Sequence, residues 1–226
     1  MNLESDIHLI DPAHGTTDDH LLCLTDDEKH RATSYRFPED GVRWIAFRAG
    51  LRKILGETIG VLPHKVPITI TPLGKPILDA PYDFLNFSLS HCNELALVAL
   101  CSHGPVGIDL EPISRAPDLL GCESTFCHPA EIDELPGQPG DRAIRLLEIW
   151  TAKEALLKAL GTGFTHPPET LRIRFNQSIL SITSEASLPG IETQILSRLC
   201  HPLLKAYCVT LSRSSASGHS CFANER

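Results

Sequence analysis

Two short stretches carry residues whose types and spacing could do chemistry: Val106-Gly107-Ile108-Asp109-Leu110-Glu111 and Trp150-Thr151-Ala152-Lys153-Glu154-Ala155-Leu156-Leu157-Lys158. In an extended chain, residues two apart point to one face, so Asp109 and Glu111 project together while Ile108 and Leu110 face the core. Carboxylates brought together repel unless a cation or proton intervenes. Ligation by oxygen alone favours Mg²⁺, which takes a few carboxylates and completes its shell with water and substrate phosphates. In a helix Glu154 and Lys158, four apart, share a face, whereas Lys153 is turned about 100° from Glu154. Trp150, Ala155 and Leu157 around them describe a packed helix. Together the two stretches could hold a magnesium-bound diphosphate. Plainer readings stay open: a strand edge with incidental acids, and a surface Glu–Lys pair worth a few tenths of a kcal/mol.

The elements that must position these groups are legible as pattern. Trp44, Phe47, Leu51, Ile54 and Leu55 recur at helical spacing over residues 41–56, with Gly56 as a stop. Val66, Ile68 and Ile70 alternate with polar residues as a half-buried strand, and Pro72 to Pro76 turns the chain. The run Leu95–Cys101 reads as a buried strand, and the turn Ser102-His103-Gly104-Pro105 suits a hairpin into a strand over Val106–Leu110. The second half repeats the plan: a helix from Arg142 to Leu160 stopped by Gly161, a turn at Pro167-Pro168, then strands over Leu171–Phe175, Ile179–Thr183 and Ala206–Leu211. At a constant offset of 105, Leu51, Lys53, Leu55, Gly56, Pro63 and Ile68 fall on Leu156, Lys158, Leu160, Gly161, Pro168 and Ile173. The sequence therefore predicts an α/β (α+β) fold of two similar halves, 1–104 and 105–211, each a helix on a small, mostly antiparallel sheet, with a loose tail over 212–226. At this offset Ala49 lies opposite Glu154, so the scaffold reads as doubled and the acid cluster as single, with one site at the seam.

Composition narrows the function. A chain of 226 residues with 42% hydrophobic content can bury a full core. No run approaches the roughly 20 apolar residues of a membrane span. The start, Met1 to Asp6, lacks the basic and apolar regions of a secretory signal, which predicts a cytoplasmic protein. The net charge of -8 excludes a general nucleic-acid or membrane-surface binder. One basic concentration, Arg31, Arg36, Arg43, Arg48, Arg52 and Lys53, reads from charge alone as the solvated face of a helix. The 8 cysteines are scattered without a CxxC and read as buried reduced thiols, and Cys122, Cys127 and His128 lack a second ligand pair for zinc. Ser90-His91 has no G-x-S-x-G elbow and suits phosphate donation, with Lys75, better than hydrolysis.

Taken in order, these stretches resemble the Sfp-type (surfactin-synthetase-activating) 4′-phosphopantetheinyl transferases. The similarity runs from about Arg36 to Phe175: a Gly-Lys-Pro turn at 74–76, the segment Phe87-Ser88-Leu89-Ser90-His91-Cys92, V-G-I-D-x-E at 106–111, a segment from Phe126 to Glu131, and W-x-x-K-E-A-x-x-K-A-x-G-x-G at 150–163. Ser88 stands where the family usually has Asn, and Cys92 where it has Ser. The resemblance implies a fold of two similar α/β halves around one site. It implies Asp109, Glu111 and Glu154 as Mg²⁺ ligands and Lys158 as a contact to the diphosphate of coenzyme A. Lys75, Ser90 and His91 would hold CoA phosphates. Arg43 and Arg31 would sit near the 3′-phosphoadenosine, with Ser88 altering adenine-side contacts. Glu131 matches a residue near the attacking hydroxyl, although it could equally be a first-turn helix charge.

The implied reaction transfers the 4′-phosphopantetheine arm of CoA to a serine of an acyl- or peptidyl-carrier protein, releasing adenosine 3′,5′-bisphosphate. Glu154 is the first candidate base and Glu131 the second. An acidic carrier would meet a basic rim near Arg172 and Arg174. The duplication lets one chain complete the site, which predicts a monomer. The competing readings are a non-catalytic CoA- or nucleotide-binding regulator on the same fold and a Mg²⁺-dependent diphosphate hydrolase.

Overall fold

The helical periodicities around Trp44 and Trp150 become two helices of equal length, each laid on an antiparallel sheet. The computed structural model describes residues 6–13, 17–92, 94–176, 179–184, 188–191, 194–199 and 204–214. In chain order they form β1 (Asp6–Ile10), α1 (Thr17–Leu21), α2 (Asp26–Ala32), α3 (Pro38–Ile59), β2 (Ile68–Ile70), β3 (Pro76–Leu78), β4 (Asn86–His91) and β5 (Ala96–Cys101). There follow β6 (Val106–Pro112), α4 (Glu123–Phe126), α5 (Pro129–Asp133), α6 (Pro139–Leu160), β7 (Leu171–Asn176), β8 (Ile179–Ser184), β9 (Gln194–Arg198) and β10 (Tyr207–Ser214).

α3 packs Phe47, Leu51 and Leu55 onto Phe87, Val98 and Leu100 of the sheet β1-β5-β4. α6 packs Ala152, Leu156 and Leu157 onto Leu171, Ile173, Leu180 and Leu196 of the sheet β6-β10-β9-β8-β7. β2 and β3 form a separate pair. The fold is therefore the expected mixture of helices and antiparallel sheets in two similar halves. No described helix is long and apolar enough to cross a membrane.

Both long helices begin with proline in the first turn, where its missing N–H is not needed, and end on a left-handed glycine, Gly60 at φ 74° and Gly161 at φ 70°. This corrects the first stop and with it the repeat. Gly56 lies inside α3 because its bare Cα packs against Val61, where a Cβ would stand 2.7 Å from the carbonyl oxygen. Pro38, Ile59 and Gly60 correspond to Pro139, Leu160 and Gly161, a constant offset of 101 rather than 105. Lys53 then stands opposite Glu154, and the acid remains single.

The hairpin expected between β5 and β6 does not form. β1 and β4 occupy both edges of β5, so β6 turns away at Gly104 and pairs with β10, Asp109 opposite Thr210 and Glu111 opposite Cys208. The two sheets instead meet face to face, with Leu97, Ala99 and Cys101 of β5 against Val106, Ile108 and Leu110 of β6. Nor is the arginine-rich face of α3 solvated. Arg52 is 3% exposed and turns inward, donating to Glu28 at 2.6 Å and to the carbonyls of Pro63 and Val66, while Arg48 pairs with the other oxygen of Glu28. Glu28 also closes a capping box with Thr25, so one carboxylate ties α2 to α3. The tail expected from Ser212 begins later: Ser212 is a buried β10 residue bonded to Gln194, and 215–226 lie outside the described residues. Of the cysteines, 23, 101 and 127 are buried as expected, 92 and 208 half-buried and 122 exposed, all as free thiols, while 200 and 221 lie outside the described residues.

Candidate active site

β4 and β6 are edge strands of different sheets, and serine hydroxyls close the gap between them. Ser88 Oγ accepts from the Ile108 N–H at 3.1 Å, and Ser90 Oγ accepts from the Leu110 N–H at 3.2 Å. This regular two-residue step replaces a backbone ladder and leaves room at the seam for side chains. Across the seam, α6 lies almost backbone to backbone on β6. A Cβ on Gly107 would stand 2.0 Å from the Ala155 carbonyl oxygen, so only glycine fits there.

Asp109, 4% exposed, projects from β6 into this seam. Its Oδ1 accepts from Ser90 Oγ at 2.9 Å and from Lys158 Nζ at 2.6 Å, while Oδ2 is buried with no hydrogen-bond partner. Lys158 also donates to Ser90 Oγ at 3.1 Å and to the Ile108 carbonyl at 3.3 Å, and is about one-third exposed. Glu111 is half-buried and paired with Arg115 at 2.5 Å, one turn further on. Glu154 makes no hydrogen bond or ion pair among the described residues. Burial first, then the Asp109 charge, pushes its carboxyl from 4.5 up to about 7, with Lys158 opposing and Glu111 adding to the rise. The four side chains predicted from D-x-E and K-E-A-x-x-K are thus brought within electrostatic reach of one another.

Among the described residues, no three carboxylate, imidazole or thiolate groups already converge at metal-ligand spacing, since Lys158 and Arg115 serve Asp109 and Glu111 as counter-ions. The donor set nevertheless fits a hard divalent cation: all oxygen, with one buried carboxylate oxygen unpartnered and a third carboxyl, Glu154, whose pKa is raised by burial and then by the Asp109 charge, which a cation would relieve.

Apart from Ser90, the residues expected toward a phosphorylated ligand line two cavities that share Leu89 of β4. The first, about 230 Å³, is bordered by Gly74, Lys75, Ser88, Lys158 and Gly161. There Lys75 Nζ donates to the Ala159 carbonyl at 2.7 Å, and burial pushes its ammonium down to about 8. The second, about 530 Å³, is walled by Arg31, Tyr35, Arg43, Trp44 and His91. Arg31 lies 5.5 Å over the Trp44 ring, and Arg43 pairs with Asp40 at 3.0 Å. His91 stacks on Phe47 at 5.3 Å, and burial, then Lys158 and Arg43, lower its pKa, so these cations act on one imidazole.

Three expectations need correction. Ser88 and Ser90 are both 5% exposed and use their hydroxyls on the seam, so their observed contacts position β6 and Asp109. Glu131 is not brought to the acid cluster. Its Oε1 accepts from the Ile173 N–H at 2.6 Å, and its Oε2 accepts from the His128 N–H and Lys153 Nζ, each at 2.7 Å. Lys153 also donates to the Phe126 carbonyl at 2.7 Å, which gives that lysine the role its spacing left unassigned. Glu131 is thus a first-turn carboxylate with a structural partner, the alternative its position allowed. Arg172, expected on an open rim, pairs with Glu134, whereas Arg174 is exposed. Sequence reasoning missed Arg115, because its reach back to Glu111 depends on the chain leaving β6 at Pro112 for a tight turn, which the strand spacing does not show.

Comparison with known proteins bears on both halves of the chain. The family model described as the 4′-phosphopantetheinyl transferase superfamily matches residues 105–215, and one described as 4′-phosphopantetheinyl transferase, N-terminal, matches residues 11–103. The 4′-phosphopantetheinyl transferase HetI of Nostoc sp. is 36% identical over 71% of this chain and 71% of its own length. A relative from Synechocystis sp. is 32% identical over 63% of this chain and 58% of its own. The 4′-phosphopantetheinyl transferase gsp of Aneurinibacillus migulanus is 31% identical over 67% of this chain and 62% of its own, so the matches span about three-fifths to seven-tenths of these relatives. With that identity to HetI and both halves matched in order around the Asp109–Glu154 seam, the chain belongs to the 4′-phosphopantetheinyl transferase superfamily.

Proposed function

We propose that this chain transfers the 4′-phosphopantetheine arm of coenzyme A to a serine hydroxyl of an acyl- or peptidyl-carrier protein, releasing adenosine 3′,5′-bisphosphate. The observation that carries the reading is the seam itself. An unpartnered buried oxygen of Asp109, the raised carboxyl of Glu154 and the one-third-exposed Lys158 adjoin a groove lined with cationic side chains.

Asp109, Glu111 and Glu154 would hold Mg²⁺, which when bound supplies positive charge against the diphosphate as charge builds on the leaving side. Lys158 is exposed enough to reach that diphosphate and would exchange its bond to Asp109 for phosphate oxygen. Lys75 would present its ammonium from the shared groove, and His91, Arg43 and Arg31 would line the phosphoadenosine end. Tyr35 and Trp44 offer that end aromatic faces. Phosphoryl transfer asks little covalent chemistry of a protein, so positioning and electrostatics provide most of the rate.

The serine proton needs a base whose pKa lies near working pH. Glu154 is the first candidate, since no protein hydrogen bond or ion pair holds its carboxylate among the described residues, while Glu131 has both oxygens engaged. The carrier would approach over the exposed Arg174 side of β7, its acidic surface steered by charge. Because the acids and the groove belong to one chain, the enzyme would act as a monomer.

The test is mass spectrometry of a carrier protein incubated with CoA, Mg²⁺ and this chain. The proposal expects gain of one phosphopantetheine on the carrier serine and none on its Ser→Ala form. CoA-induced thermal stabilisation without mass gain points to a binding regulator, and CoA cleavage without carrier to a hydrolase. Either result overturns the reading.

A further inference from the structure

At the α6–sheet interface, one buried polar group takes no part in the chemistry above. Thr151, 0% exposed, sits one turn before Glu154 on α6. Its Oγ1 lies 3.2 Å from Cys208 Sγ and 3.3 Å from Thr210 Oγ1, and it donates to the Glu148 carbonyl at 3.2 Å. Burial pushes the Cys208 thiol up to about 11, so it stays protonated and can donate. On the same face of α6, one turn to either side of Thr151, Leu147 and Ala155 are buried and carry no side-chain polar group. Packing alone would be served as well by valine, and a buried hydroxyl must be hydrogen-bonded to avoid a penalty.

The place of the cluster distinguishes it from ordinary core polarity. Thr210 is the ladder partner of Asp109, and Cys208 that of Glu111. The bonds to Thr151 therefore join the residues directly beside two carboxylates on the sheet to the turn of helix that precedes the third. Further along the same contact, Gly107 meets Ala155 and Ala159 so closely that no side chain fits, which sets the separation at that end without bonds. Steric contact fixes one end of the α6–β6 interface and hydrogen bonds fix the other.

We propose that Thr151, Thr210 and Cys208 form a positioning cluster that sets the height and rotation of α6 over β6, and so the span that Glu154 leaves to Asp109 and Glu111 for a divalent cation. The inference rests on the reading that those three carboxylates hold the cation. Mg²⁺ demands near-octahedral geometry at about 2.0–2.1 Å, whereas Ca²⁺ accepts 2.3–2.6 Å and irregular shells. A loosened span should therefore penalise the smaller ion selectively.

Calorimetric titration of Mg²⁺ and of Ca²⁺ into the CoA complex reads this without turnover. Thr151→Val should weaken Mg²⁺ about tenfold, the scale at which outer hydrogen bonds support a metal site, and Ca²⁺ less than about threefold. Thr151→Ser should restore the wild-type ratio. Thr210→Val reads the same bond from the strand, so the test survives if Thr151→Val folds poorly. Thr58→Val, the same exchange on α3, whose hydroxyl donates to the Ile54 carbonyl of its own helix, should alter neither affinity. An unchanged Mg²⁺/Ca²⁺ ratio in both valine variants, or equal loss of both ions, overturns the cluster alone. Wild-type protein that takes up neither cation overturns the three-carboxylate reading and the cluster with it.

Discussion

The nine residues from Trp150 to Lys158 supply lysines to two acid–lysine pairs that differ in nearly everything but distance. Lys153 meets Glu131 at 2.7 Å and Lys158 meets Asp109 at 2.6 Å. In the first pair the side chains are 1% and 2% exposed, and both carboxylate oxygens and the ammonium have further backbone partners. In the second, Lys158 is 31% exposed and one oxygen of Asp109 is orphaned. A complete set of hydrogen bonds makes an ion pair part of the scaffold; an incomplete set leaves it available to a ligand. Glu131 pins the α5 turn, α6 and β7 together, and Asp109 waits at the seam between sheets.

The largest expected effect breaks the incomplete pair. Asp109→Ala should lower pantetheinylation of a carrier by about 10³-fold, the scale for removing one preorganised electrostatic group, with the thermal midpoint little changed. A variant that retains transfer within tenfold of wild type would remove Asp109 from the site. Next comes the complete pair. Glu131→Gln leaves Lys153 buried beside a neutral amide, and losing one partner of a buried pair costs roughly 3–5 kcal/mol. Urea unfolding should show that loss, while the folded fraction binds CoA as before. Adding Lys153→Met should recover part of the stability. If Glu131→Gln instead unfolds normally but loses turnover, the assignment of roles is reversed.

The contrast between the pairs also explains what the sequence could reveal. Asp109, Glu111, Glu154 and Lys158 were legible because two-residue and four-residue spacings place them on faces, a local property. Lys153 was not, because its partner lies 22 positions away in a turn whose location depends on Phe126 and Ile173. Ser88 and Ser90 looked like ligand donors because nothing local shows that β4 will border β6. The missing hairpin has the same origin: β1, at the far end of the half, takes the edge of β5 that β6 would need. The helix frames were legible and one stop was not, since Gly56 and Gly60 both satisfy a glycine rule, and the left-handed turn at Gly60, with the Val61 N–H bonded back to the Gly56 carbonyl, is what ends the helix. The α+β class and the doubled plan survived because they need only helix and strand phases, not partners.

A third test concerns Glu154, whose neighbours keep it unsatisfied. Its folded-state carboxyl is raised from 4.5 to about 7, so between those values the folded protein holds a proton that the unfolded chain has released. Its contribution to stability is therefore fully present below about pH 4.5, declines as pH rises and is lost above about 7. Thermal midpoints measured from pH 5 to 8 should fall more steeply in wild type than in Glu154→Gln. At pH 8, Mg²⁺ with CoA should raise the wild-type midpoint and leave Glu154→Gln nearly unmoved. Parallel pH profiles would separate Glu154 from the charged cluster.

The smallest effect extends the same distinction to the surface. On β7, Arg172 and Arg174 lie two apart, yet only Arg172 is tied, to Glu134, while Arg174 makes no ion pair among the described residues. A free rim cation can steer an acidic partner, and its loss changes association more than the bound complex. Arg174→Glu should raise KM for the carrier about threefold at low salt and leave KM for CoA unchanged, with the difference fading as salt screens the approach. Arg172→Glu should instead destabilise the fold, because it sets a second carboxylate beside Glu134. Equal effects of the two reversals on KM would mean that the partnered and the free arginine are not distinguished by the carrier, and the docking edge would have to be sought away from β7.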